Sequence, residues 1–197
     1  MILENCNTYL INEASMVRLY QHTVERNIGI ISASRGRYTK SENLDRSRKL
    51  ESDIRAAGFG FYRLEGHYIE GYKTDKAKDV KERCYLVIGE KMADNGNLKG
   101  ILKKLGSKYN QDSILYKPYN DKKAYLIGTQ ATDEEGNSVD FPGLGREVSV
   151  GEFKPMKVGE FYSRMKGKPF VFESYGVPKT WVEMYAEYLR TKLEERA

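Results

Sequence analysis

Six consecutive residues, Arg35-Gly36-Arg37-Tyr38-Thr39-Lys40, have the makings of an anion site. They lead into a predicted helix. The first N–H groups and the dipole of a helix favour negative charge, and two guanidiniums can clamp a phosphate bidentately. A solvated loop ending in a helix cap is the other reading. A second cationic cluster follows. Lys99 and Lys103 are stacked i,i+4, as are Lys104 and Lys108, with no Glu partner in that helix. Like charges at this spacing cost roughly a few tenths of a kcal/mol, which a polyanion or an acidic partner would offset. A soluble helix face opposite a leucine stripe is the alternative. Arg35, Arg37, Tyr38, Lys99, Lys103, Lys104 and Lys108 are therefore the candidate residues for binding an anionic ligand or nucleic acid.

Acid–base chemistry has fewer parts. Gly66-His67-Tyr68-Ile69-Glu70 places a His and a Glu three apart, but on a strand these side chains point to opposite faces. Ala57-Gly58-Phe59-Gly60-Phe61-Tyr62 looks like the aromatic strand of RNA-recognition domains, yet falls on the wrong strand for it. Phe59 and Phe61 read instead as sheet residues. There is no Walker A sequence, no Gly-x-Gly-x-x-Gly after a strand, no Gly-x-Ser-x-Gly and no His-Glu-x-x-His. With only Cys6, Cys84, His22 and His67, neither a disulfide framework nor a zinc site is expected, and no cofactor is implied. Cys84, inside Cys84-Tyr85-Leu86-Val87-Ile88, reads as a small buried hydrophobe.

These residues must be positioned by elements legible in the pattern. A helix is predicted over 13–26, capped by Asn12, with Ala14, Val17 and Val24 on one face and Asn27 closing it. Residues 28–33 form a short buried strand. Thr39 and Glu42 have capping-box spacing, so a helix runs from there to about Ala57, with Leu50, Ile54 and Ala57 buried and Gly58 left-handed behind it. Residues 59–70 read as a strand, 71–82 as a polar loop and 83–89 as a central strand. Asn97 caps a helix carrying Leu98, Ile101, Leu102 and Leu105, which Gly106 ends. Strands follow at 113–116 and 124–128. The order β-α-β-β-α-β plus one strand predicts an α+β, ferredoxin-like split βαβ sheet with an N-terminal helix and a C-terminal helical extension.

Composition shifts after Thr129. The chain divides into an α+β core, 1–130, and a loop-rich extension, 131–197. The extension ends in an aromatic amphipathic helix whose Trp181, Met184, Tyr185 and Tyr188 share a face. That face suits self-association, a partner or virion contact. The whole chain has 197 residues, 33 Lys and Arg against 28 Asp and Glu, and a net charge of +5. Charged residues make up 31%, enough to read as a wetted globular protein. No apolar run reaches the ~18 residues of a membrane span, and the start lacks the pattern of a signal peptide. Fifteen tyrosines suit half-buried strands or base stacking.

Ile31-Ser32-Ala33-Ser34-Arg35-Gly36 with Glu42-Asn43, Gly58-Phe59-Gly60-Phe61 with Gly66-His67-Tyr68-Ile69-Glu70, Gln111-Asp112-Ser113, and Phe161-Tyr162-Ser163-Arg164-Met165-Lys166-Gly167-Lys168 occur in that order. Together they resemble a family of uncharacterised tailed-bacteriophage proteins with shorter bacterial relatives, over residues 13–172. The resemblance implies a phage product acting in the host bacterial cytoplasm and carries no catalytic residue. The leading expectation is a non-enzymatic accessory protein that binds an anionic ligand, nucleic acid or an acidic host protein. A virion-associated structural protein comes second. An enzyme on nucleotides or nucleic acid, using His67, Glu70 or Gln111-Asp112-Ser113, comes third.

Overall fold

A computed structural model describes residues 18–70, 78–93, 97–132, 136–139, 142–154, 161–165 and 168–173. Residues 18–25 are helical (α1). Then follow β1 (Arg26–Ser32), α2 (Lys40–Ala56), β2 (Gly60–Glu70), β3 (Lys78–Lys91), α3 (Leu98–Lys108), β4 (Ser113–Lys117), β5 (Lys123–Gly128), β6 (Glu147–Lys154), β7 (Phe161–Met165) and β8 (Lys168–Glu173). All strand pairs are antiparallel. The sheet runs β1-β3-β2-β7-β8-β6-β5-β4, and β4 pairs back onto β1 through Ile30 opposite Leu115, so the barrel closes.

The fold is therefore not the ferredoxin-like split βαβ sheet that the element order suggested. The arc β4-β1-β3-β2 has the strand order of that arrangement, but it is only half of a ring. The short apolar runs after residue 146 are not loop. They supply β6, β7 and β8, and β7 pairs with β2 where Gly66 faces Ser163. An eight-stranded ring has an interior just wide enough to fill with side chains, and closure removes sheet edges. The barrel draws its strands from both sides of residue 130.

Strand alternation sorts the buried residues into two cores. Leu19 of α1, Ile28, Leu64, Cys84, Leu86, Phe153, Met165 and Phe170 pack together. They come from strands on opposite sides of the ring, so this is the barrel interior. Phe153 stacks on Phe170 at 5.4 Å, and Tyr20 of α1 lies 6.1 Å from Phe153. The other set, including Ile31, Tyr85, Val87, Ile114 and Ile127, faces outward under Leu50 and Ile54 of α2 and Leu98, Leu102 and Leu105 of α3.

Local signals act where expected. Thr39 and Glu42 close a reciprocal capping box on α2, and Gly58 follows with φ +86°. Asn97 caps α3 by accepting the Gly100 N–H. Three details differ. Ala57 is the exposed C-cap of α2 and not part of its buried stripe. Val24 is 50% exposed, Leu19 and Thr23 being the buried residues of α1, and Asn27 is a strand residue whose amide donates to the Ala93 carbonyl. Gly106 does not end α3; it lies inside the helix, where its missing side chain lets Thr129 and Ile114 approach.

Candidate functional site

The end of the barrel reached by the C-terminus of β1 gathers segments far apart in sequence. Ser32 is the last residue of β1 and stands opposite Cys84 of β3. Glu82, two residues before Cys84 on the same interior face, stands opposite Gly66 of β2. Ser32 Oγ lies 3.1 Å from Glu82 Oε2 and 3.0 Å from the Arg83 carbonyl, and it accepts the Ser34 N–H at 3.0 Å. Cys84 Sγ lies 3.5 Å from Glu82 Oε1.

Burial raises the Glu82 pKa above the usual carboxylate range, while hydrogen bonds from Ser32 and Cys84 and the charge of Arg35 pull it part of the way back. Burial, then the neighbouring Glu82 charge, pushes the Cys84 thiol well up, so this sulfur is no thiolate nucleophile. The interior mouth thus holds a partly desolvated carboxylate with one Arg in reach.

The segment Ser32-Ala33-Ser34-Arg35 is tied down by side chains from α2 and from the turn before β4. Arg46 Nε donates to the Ala33 carbonyl at 2.7 Å, and its Nη2 donates to the Tyr109 carbonyl at 2.7 Å. Asn43 accepts the Arg35 N–H and donates to the Arg35 and Tyr38 carbonyls. Gln111 Nε2 donates to the Ser34 carbonyl. Arg35 Nη1 pairs with Asp112 at 3.0 Å. The Ser32–Gly36, Glu42-Asn43 and Gln111-Asp112 motifs are thus parts of one assembly. Side chains that satisfy backbone groups of an irregular segment hold it in one conformation, as a preorganised site needs.

The candidate cations sit as follows. Arg35 is 19% exposed and paired with Asp112. Arg37 stacks on the ring of Tyr38 and donates to its hydroxyl. The Tyr38 ring also lies under Arg46. Arg46 joins this loop to the C-terminal end of α3, where Lys108 pairs with Asp53 at 2.7 Å. Lys99, ~14 Å away along α3 at ~1.5 Å per residue, pairs with Glu147 at 2.6 Å. Lys103 is half-buried and Lys104 exposed. Trp181, Met184, Tyr185 and Tyr188 lie outside the described residues.

His67 is buried on the outer face of β2, 2.7 Å from Glu65 Oε1, and this hydrogen bond holds the Glu65 carboxyl below its usual range. Glu70 is the last residue of β2. Among the described residues no group of three or more His, Cys, Asp or Glu is placed to hold a metal ion.

Sequence reasoning missed Glu82, because residues 71–82 read as a polar loop whereas β3 already begins at Lys78. The signal was present in Val80, Glu82, Cys84 and Leu86, which alternate with charged or aromatic residues.

Comparison with known proteins yields no match among curated proteins. A solved structure described as a phage SAM lyase in complex with S-methyl-5'-thioadenosine is similar at 13% identity, over 64% of this chain and 89% of that one, with a TM-score of 0.30. The model of the S-adenosylmethionine lyase family matches residues 29–173, which span β1 to β8. The match overturns the expectation of a non-enzymatic binding protein. Counting surface cations missed a carboxylate inside the barrel, and Arg35, Lys99 and Lys108 already have carboxylate partners within the chain. The chain belongs to the S-adenosylmethionine lyase family.

Proposed function

We propose that this chain cleaves a carbon–sulfur bond of S-adenosylmethionine without water or a second substrate. The family match over residues 29–173 carries this reading. The barrel mouth supports it. The substrate bears a sulfonium and an ammonium, so its site needs negative charge, and Glu82 supplies a carboxylate in a partly desolvated setting.

The simplest balanced step uses the substrate's own carboxylate. One carboxylate oxygen attacks the γ carbon and forms a five-membered lactone. The bond from that carbon to sulfur breaks, and sulfur keeps the electron pair as a neutral thioether. No proton moves. Opposite charges disappear in this step, so a site of low polarity lowers its barrier relative to water. The chain's task is then to fold the methionine arm and exclude water. The braced Ser32–Arg35 segment and Glu82 are the residues assigned to that task. We place the activity in the host bacterial cytoplasm, the setting that the phage resemblance implies.

Incubation of the purified chain with S-adenosylmethionine, followed by mass spectrometry, tests the proposal. The expected products are methylthioadenosine and homoserine lactone, with no heavy oxygen in the lactone when the reaction runs in oxygen-labelled water. Unchanged substrate, or S-adenosylhomocysteine from methyl transfer, would refute it.

A further inference from the structure

The opposite end of the barrel wall holds a cavity of about 570 Å³. Its place follows from strand lengths. β7 pairs with β2 only from Glu65 to Tyr68, whereas β3 pairs with β2 from Gly60 onward. Among the described residues no strand pairs with residues 60–64 on the β7 side, so the wall has a gap there, with Met165 at its rim. The β2 residues that line it, Gly60 to Arg63, lie six to three residues from Gly66, the partner of Glu82. At ~3.3 Å per strand residue this is roughly 10–20 Å.

The cavity carries the wrong charge for a sulfonium. Among the described residues, Arg18, Arg55 and Arg63 line it and no carboxylate does. Glu51 lies behind them and serves two of the three. Arg63 Nε and Nη2 donate to its two oxygens at 2.7 Å each, and Arg55 Nη2 lies 3.7 Å away. Among the described residues, three guanidiniums against one carboxylate leave a surplus of two positive charges. Arg55 also stacks over the ring of Phe61 at 4.8 Å, and Phe61 is braced edge-on by Tyr85 at 5.2 Å. The β2 edge at residues 60–64, which no described strand pairs on the β7 side, adds backbone donors and acceptors.

Positive charge, flat apolar faces and unpaired backbone polar groups in a volume suited to a small molecule define a ligand class. We propose that this gap is a second site that binds a nucleoside phosphate. Arg18 and Arg55 hold the phosphates, and the base lies against Phe61 with its edge toward the β2 backbone. The site does not rest on the lyase reading.

Calorimetric titration of the whole chain with ADP, adenosine, inorganic phosphate and an acidic peptide tests the assignment. ADP should bind, with adenosine and phosphate each at least tenfold weaker. The double variant Arg18→Gln with Arg55→Gln should lose at least tenfold, about 1.4 kcal/mol. Both side chains are solvent-exposed, so the fold should survive, and circular dichroism checks it. In the unmodified chain, ADP should shift the Met165 methyl resonance, and saturating S-adenosylmethionine should not displace it. Four results would each overturn the assignment: phosphate binding as well as ADP, unchanged affinity in the double variant, displacement by S-adenosylmethionine, or binding of the peptide with none of ADP.

Discussion

Replacing Glu82 with Gln separates charge from shape at the barrel mouth. The amide oxygen can still accept from Ser32 Oγ, now 3.1 Å from the carboxylate, so the packing survives and only the charge is lost. An interaction with a charged group is worth ~1.5–3 kcal/mol. If Glu82 holds the cationic substrate, kcat/KM should fall by roughly 10- to 100-fold, at about 1.4 kcal/mol per factor of ten. Stability should move the other way. Burial raises the Glu82 pKa, so the folded chain binds this proton more tightly than the unfolded chain. The resulting stability is fully present below the unfolded value of 4.5 and is lost as pH climbs through the folded value. Gln has no such proton, so at neutral pH the variant should resist urea better than the wild type, and the two should converge toward pH 4.5. The assays are product formation by mass spectrometry and urea unfolding over a pH series. A variant with wild-type kcat/KM refutes the assignment of Glu82 to substrate. A variant less stable than wild type at neutral pH refutes the argument from burial.

Two further perturbations test the scaffold. A Cβ at Gly29 would sit 2.1 Å from Leu102 Cδ1, a fully buried side chain, and 2.9 Å from the Leu115 carbonyl oxygen. Gly29→Ala should therefore cost ~1–3 kcal/mol and lower Tm by about 3–10 °C in calorimetry; an unchanged Tm would contradict the close packing of α3 on β1. Lys117 is 4% exposed and donates to the Pro118 and Asp121 carbonyls, and burial pulls its pKa down to about 8, with Asp121 and Glu152 opposing. The folded chain then binds this proton less tightly than the unfolded one, so wild type should gain stability over Lys117→Met by about 1–2 kcal/mol as pH rises from about 8 to about 10.5. A pH-independent difference in urea unfolding would refute it.

Expectation and structure agree at short range in the chain and part at long range. Interactions within about four residues were legible. The Thr39 and Glu42 box, the left-handed Gly58, the Asn97 cap and the leucine face of α3 each depend on a spacing that a linear pattern displays. So was the grouping of Ser32–Gly36, Asn43 and Gln111-Asp112 as motifs, though not their meeting in space. Arg35 and the lysines were counted as free charge, and a count of residue types does not show which cations have carboxylate neighbours.

Sequence alone determined the helices of residues 40–56 and 98–108, most of the first five strands, and membership in a lyase family through residues 29–173. Tertiary structure decided that the sheet closes, because pairing Gly66 with Ser163 and Ile30 with Leu115 depends on strand ends meeting across the ring. It also decided that Glu82 is an interior carboxylate. A glutamate between Lys81 and Arg83 looks solvated in any linear reading, and only the ring wrapped around it removes its water.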